Sequence, residues 1–486
     1  MVTVIYFSIA LTLMIYGLNC YIMLFLYKKG RKKANAFIRQ VEHECQPLFV
    51  KKAAPAVTTQ IPVYNEYNVV ERAMHAACQM KYPSGFHEIQ VLDDSTDDTS
   101  LLIDQKAKEL KARGHDIQVV RRANRLGYKA GALANGLAAA KGDLIAVFDA
   151  DFVPPEDYLL KTVPFFMADQ HLGFVQARWG HLNHEKSLLT HAQSIGIDGH
   201  FMIEQSARNW GRLFMNFNGT AGIWRRQAIT DGGGWEWDTL TEDMDLSYRV
   251  QSNGWGTLFL PDLIVPAEIP EDINAFKSQQ FRWAKGSIQT AIKLLPSIFR
   301  SQNRLFKKME AFFHLTHYAV HPMMLILAVL ALPVLIAARF SYGQLLFSFL
   351  APILLLSVSA PNILYLAGQK SAYPDWKKRI LFLPFLMVFG VGVAVSNSRA
   401  VAEALLHRKS EFIRTPKKGD REIVAYRSGF PWVGIIEIVM GIYCTSSFYY
   451  YLSSGKFLVG PFLAIYASGF LLTGLLTLVH ALDMAE

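Results

Sequence analysis

Apolar and polar residues are distributed along this chain in two distinct regimes. Met1 to Tyr27 contains no charged residue, and neither do Ala311 to Ala338 or Phe340 to Gln369, which only Arg339 separates. Pro431–Leu452 and Phe457–His480 form a further apolar pair joined at Ser453–Lys456. Each run is at least as long as the roughly 20 residues needed to cross a bilayer. The first lacks the basic start and small-residue cleavage pattern of a signal peptide, so it predicts a spanning helix. The other four predict two hairpins. Ile380 to Ser398 is also uncharged, yet Lys377, Lys378 and Arg379 flank it on one side and Arg399, Arg408 and Lys409 on the other. Crossing would place one basic cluster outside, and Pro384, Gly390 and Gly392 weaken a straight helix. Lys377–His407 is therefore expected to be interfacial or re-entrant. The resulting expectation is five spans, with the N-terminus outside and residues 28–310, the 370–430 loop and the C-terminus cytoplasmic. The segments divide at 1–27, 28–310, 311–369, 370–430 and 431–486.

Between residues 50 and 300 the pattern changes to short apolar runs alternating with amphipathic stretches. Ala56–Gln60, Ile89–Leu92, Ile117–Arg121, Leu144–Phe148 and Phe174–Gln176 read as strands, with Val69–Met80 and Leu101–Arg113 among the helices between them. Such alternation predicts a mostly parallel sheet covered by helices, with ligands beyond the carboxyl ends of its strands.

The composition agrees with a chain living partly in lipid: of 486 residues, 51% are hydrophobic and 18% charged. The net charge of +9 does not point to nucleic acid, because the basic residues cluster beside apolar runs, as Lys28, Lys29, Arg31, Lys32 and Lys33 do. Cys20, Cys45, Cys78 and Cys444 are too scattered for a metal or disulfide pattern and read as reduced thiols.

The acidic residues fall where the sheet predicts a ligand. Phe148–Phe152 reads F-D-A-D-F, and two carboxylates leaving a strand two residues apart can turn toward one hard cation such as Mg²⁺. Alone, that spacing is as compatible with a solvated turn. Pro62-Val63-Tyr64-Asn65-Glu66 and Val91-Leu92-Asp93-Asp94-Ser95 each follow a strand, and an aromatic ring beside carboxylates suits a nucleotide. Asp94 and Ser95 also suit the cap of a helix starting near Asp98. Lys129-Ala130-Gly131 supplies a cation for a diphosphate. Thr241-Glu242-Asp243 opens an amphipathic segment, where the acids suit the charge of a helix start and Asp243 also suits a base that takes a proton from a hydroxyl. In Gln279-Gln280-Phe281-Arg282-Trp283 the indole offers a platform for a sugar ring, Arg282 a counter-charge and Gln279 hydrogen bonds. An arginine–tryptophan pair anchoring an interfacial helix is the plainer alternative.

Taken in order, Asp94, Asp149/Asp151, Thr241-Glu242-Asp243 and Gln279/Arg282/Trp283 resemble the D, D-x-D, T-E-D, Q-x-x-R-W signature of processive family 2 glycosyltransferases, which include cellulose, chitin, hyaluronan and mannan synthases. The resemblance covers about residues 55–300. It implies a GT-A-type α/β domain between membrane helices, a Mg²⁺ or Mn²⁺ cofactor and transfer from a UDP- or GDP-hexose to the non-reducing end of a growing β-glycan, with coupled export. Tyr64, Glu66, Asp94, Lys129, Asp149, Gln279 and Arg282 would then hold the nucleotide sugar, Asp151 with Asp149 the metal, and Asp243, beside Glu242, would be the base of an inverting displacement. Trp283 would hold the acceptor end, with Phe217-Asn218-Gly219-Thr220 lining it. Phe412-Ile413-Arg414-Thr415-Pro416-Lys417 is similar to the gating loop of cellulose synthases through Phe412, Thr415 and Lys417, with Arg414 replacing the usual valine. The single leading span, the expected absence of a cyclic-di-GMP-binding domain and Val175-Gln176-Ala177-Arg178-Trp179 are closer to plant-type mannan and glucomannan synthases. A non-processive transferase building a lipid-linked sugar is the main alternative. A transporter with a relict soluble domain has no need of these acids together, and a glycosidase no need of a nucleotide pocket.

Overall fold

The computed structural model describes residues 1–50, 54–337, 343–410, 419, 432–455 and 460–483. Seven strands form one sheet: β1 (Val57–Val63), β2 (His87–Asp93), β3 (Ile117–Val120), β4 (Leu144–Val147), β5 (Leu172–His181), β6 (Gly222–Arg225) and β7 (Gly256–Ala267). Their order is β3-β2-β1-β4-β6-β5-β7. All pairings are parallel except the two that β6 makes.

The five expected strands are present, and β6 and β7 join them. The helices Val70–Gln79 and Thr99–Ala112 follow β1 and β2. The cap of the latter is Asp98 rather than Asp94 or Ser95. Both of those residues are engaged elsewhere: Asp94 binds Arg122, and the Ser95 hydroxyl accepts from the Asn65 N–H at 3.0 Å. Two apolar layers sandwich the sheet. One holds Val57, Ile61, Val91 and Phe148, the other Ile145, Val147, Phe174 and Trp224. Because β1 is flanked by β2 and β4, its connections leave in opposite directions, which opens a crevice at the carboxyl ends of these strands.

Among the described residues, five helices are long and apolar enough to cross a membrane: Val2–Glu44, Leu305–Ala337, Pro352–Ala372, Trp432–Ser453 and Gly460–Ala481. The ambiguous stretch is broken, Trp376–Gly392 meeting Ala394–Leu405 at a bend of 44°. The first helix does not stop at Tyr27. It runs over Val2–Val50, stacks Tyr27 on Trp210 and buries Val41 in the core under the sheet.

The helix Ile273–Arg300 lies between the two regimes. Asp272 caps it, accepting from the Asn274 and Ala275 N–H groups. Lys277, close to its start, reaches Glu437 at 2.7 Å and Thr477 at 3.1 Å on the last two membrane helices. The helix Ile273–Arg300 and the final hairpin thus share a buried ion pair. The gating-like loop, with Phe412, Thr415 and Lys417, lies outside the described residues.

Candidate active site

A cleft enclosing about 200 Å³ opens beyond the carboxyl ends of β1, β2 and β4. Its wall brings together Tyr64, Glu66, Asp94, Lys129, Asp149, Asp151, Asn218, Gly219, Glu242, Asp243, Gln279, Arg282 and Trp283. Groups as much as 219 positions apart in the chain meet there because the first motifs lie at the ends of strands or the starts of helices, and Gln279, Arg282 and Trp283 are brought over them by the helix Ile273–Arg300. Tyr64 follows β1, Asp94 follows β2, and Asp149 follows β4. Lys129 is in the first turn of the helix Tyr128–Ala139, and Glu242 and Asp243 are in the first turn of Glu242–Ser252.

The T-E-D and Q-x-x-R-W segments are joined by close packing. A Cβ at Gly286 would fall 2.5 Å from Thr241 Cγ2 and 2.8 Å from the Thr241 backbone nitrogen. Only glycine lets the two helices approach this closely. Leu240 N–H also donates to Gln289 at 3.0 Å. Trp283 lies 6.5 Å from Trp179, ring centre to ring centre, at the end of the cleft.

The electrostatics centre on Lys129. Its ammonium bonds Asp149 Oδ1 at 2.5 Å and the Gly219 carbonyl at 2.9 Å. Burial works to lower its pKa, but Asp149 and Glu242 outweigh that and raise it, so it stays charged. Burial pushes Asp243 up to about 7, helped by the neighbouring Glu242 and opposed by Lys129. Glu242 is raised too, chiefly by burial. Burial lowers Arg282. A carboxylate poised near neutrality beside two cations can take a proton and return it.

The donor set fits a hard divalent cation. Asp149 and Asp151 both border the cleft, and Lys129 engages only one oxygen of Asp149. A second acidic group, Glu236, Asp238 and Asp245, is off this wall and already engaged by cations: Lys293 lies 2.5, 2.8 and 3.1 Å from the three, and Arg249 lies 2.7 Å from Asp245.

Two residues of the expected acceptor segment are behind the wall. Phe217 is fully buried and packs edge-on against Phe174. Thr220 is buried as well, its hydroxyl accepting from the Asp149 N–H at 2.8 Å. Both shape the site from beneath, and Gly219, at φ +79°, turns the chain between them and Asp243. Asn218 reaches the cleft and bonds His200 at 2.9 Å, on the π-helical turn His200–Gln205.

The sequence reading missed two arginines. Arg122 grips both oxygens of Asp94, at 2.8 and 2.5 Å. Arg125 lays its guanidinium 3.2 Å above the centre of the Tyr64 ring. The signal was the basic run Arg121-Arg122-Ala123-Asn124-Arg125 just ahead of Lys129.

Residues 55–286 match the family model described as glycosyltransferase like family 2. Over 276 residues the chain is 41% identical to probable glucomannan 4-beta-mannosyltransferase 7 of Oryza sativa subsp. japonica, covering 55% of this chain and 47% of that protein. It thus spans about half the length of the first such relatives. The match to probable glucomannan 4-beta-mannosyltransferase 11 of Arabidopsis thaliana is 32% over 450 residues, covering 87% and 96%. A mannosyltransferase from Pyrobaculum calidifontis, solved with GDP-mannose and Mn²⁺, superposes with a TM-score of 0.49 at 18% identity, over 80% of this chain and 99% of that one.

Proposed function

The chain belongs to glycosyltransferase-like family 2, of the cellulose synthase-like type, and on that premise we propose that it is a membrane-embedded β-mannosyltransferase that uses GDP-mannose to extend a mannan or glucomannan chain. The observation that carries the reading is the convergence of Asp94, Asp149, Asp151, Asp243 and Arg282 on one cleft. The mannosyl group is taken from the glucomannan 4-beta-mannosyltransferases it is similar to, and the GDP carrier from the nucleotide sugars that the sequence resemblance implies.

In this reading the diphosphate lies against Lys129 and Arg282, which stabilise charge as the bond to the anomeric carbon breaks. A terminal hydroxyl of the glycan, its last ring resting on Trp283, attacks that carbon from the opposite face. Its proton passes to Asp243, so one glycosidic bond forms, one phosphate ester bond breaks and the configuration inverts. Asp149 and Asp151 would hold Mg²⁺ or Mn²⁺, which supplies Lewis-acid neutralisation of the diphosphate. The orientation that follows has the cleft facing the nucleotide-sugar pool of the cytoplasm, with the product leaving through the membrane helices.

Purified protein incubated with GDP-mannose, UDP-glucose and an oligosaccharide primer tests the proposal. Expected products are a ladder of oligosaccharides cleaved by β-mannanase. A single-sugar lipid would favour the lipid-linked alternative. Asp243→Asn is expected to retain nucleotide binding and lose transfer, and near-normal turnover in that variant would remove Asp243 from the role of base.

A further inference from the structure

Tyr64 was expected to offer its ring to a base, yet one face of that ring is covered by Arg125. The guanidinium carbon is 3.2 Å from the Tyr64 centroid and 5.0 Å from that of Tyr128. Arg125 borders the cleft, but its Nε is enclosed without a hydrogen-bond partner, and among the described residues no carboxylate is within ion-pair distance of it. Asp94, on the same wall, is paired with Arg122 instead, one hydrogen bond to each oxygen. Arg125 is half-buried, its Nε sealed off and the rest of its guanidinium open to the cleft, so a ligand entering there meets a cation that no carboxylate already holds. Stacking on Tyr64 fixes its plane, so the N–H groups are presented edge-on to whatever enters beside Asp94.

We propose that Arg125 is the base-selecting residue of the nucleotide pocket, its N–H fork donating to the O6 and N7 acceptors on one edge of guanine. The pairing matches two donors to two acceptors, as arginine does with guanine elsewhere. Uracil presents a lone O4 on the corresponding edge and fills half the fork. Asp94, held in place by Arg122, keeps a second lone pair on each oxygen for the adjacent N1–H and N2–H edge of guanine. The inference rests on the nucleotide-sugar reading of the cleft and adds the residue that decides which nucleotide enters.

The test uses the full-length protein in detergent with Mn²⁺, and titration calorimetry with GDP, UDP and 7-deaza-GDP, which lacks the N7 acceptor. The wild type is expected to bind GDP about tenfold or more tighter than UDP, and 7-deaza-GDP about tenfold more weakly than GDP. Arg125→Ala and Arg125→Lys are both expected to lose the GDP preference while UDP affinity stays within about twofold, because lysine keeps the charge but not the fork. Equal weakening of GDP and UDP, an intact preference in Arg125→Ala, or equal binding of GDP and 7-deaza-GDP by the wild type overturns the proposal. The 7-deaza comparison needs no variant to fold. Binding of neither nucleotide overturns the functional reading and this inference together, whereas binding without discrimination overturns the inference alone.

Discussion

Asp243 gives the sharpest solution test, because its surroundings move its ionisation into the working pH range. Burial, with Glu242 alongside, lifts its pKa from 3.8 to about 7 against the pull of Lys129. A base must be ionised to accept a proton. At pH 6 about one molecule in eleven would carry an ionised Asp243, and at pH 5 about one in a hundred; with an ordinary aspartate nearly all would at either pH. kcat/KM, which reports the free enzyme, should therefore fall about tenfold per pH unit below about pH 7 and level off above it. The same shift affects folding with a defined sign. A carboxyl whose folded pKa is raised favours the folded state at low pH, and that contribution is lost as pH rises from about 4 through about 7. The contribution of Asp243 to stability and its activity as a base thus run in opposite directions across this window, while carboxyls held low, such as Asp198 and Glu403, lose stability as pH falls, so the folded fraction is measured alongside the rate at each pH. Initial rates with radiolabelled GDP-mannose below saturation, from pH 5 to 9, supply the measurement. A flat profile between pH 5 and 7 would refute the assignment of Asp243 as the titrating base.

Gly286→Ala should lower kcat by about ten- to a hundredfold, since the added methyl meets Thr241 backbone at 2.8 Å and pushes the T-E-D turn off its position; an unchanged kcat would show that the contact is slack. Lys277→Met should cost about 3–5 kcal/mol by stranding Glu437, read as a lower unfolding temperature in detergent, and Lys277→Met with Glu437→Met should recover most of it. If the double variant is as unstable as the single one, the ion pair is not what the substitution breaks. Chelation with EDTA should abolish transfer, Mn²⁺ or Mg²⁺ should restore it, and Asp151→Asn should raise the metal concentration needed; transfer persisting in EDTA would discard the metal assignment.

Much of this was readable along the chain. The strands that lead into the cleft are short apolar runs closed by acids, and period, punctuation and charge agree there. β6 was missed because its four residues form an antiparallel pair in mid-sheet with no alternation. β7 was hidden by Pro261 and Pro266, which a strand tolerates at the edge of a sheet. Phe217 and Asn218 are sequence neighbours with opposite fates, one in the core and one in the cleft, and nothing in the local composition decides which. The partner of Asp94 was equally out of reach. Arg122 is 28 residues away, and their meeting depends on β2 and β3 lying side by side.

The first helix changes what the word anchor means for this protein. Its 49 residues extend about 70 Å at 1.5 Å each, more than twice the thickness of a bilayer's hydrocarbon. The surplus is not a spacer, because Phe37 meets Phe165 and Val41 sits among the residues beneath the sheet. A rod apolar enough at one end to cross a bilayer and rooted at the other beneath the sheet sets the height and tilt of the cleft over the membrane helices. Removing it to obtain a soluble fragment would take away a piece of the enzyme's own interior along with its mooring.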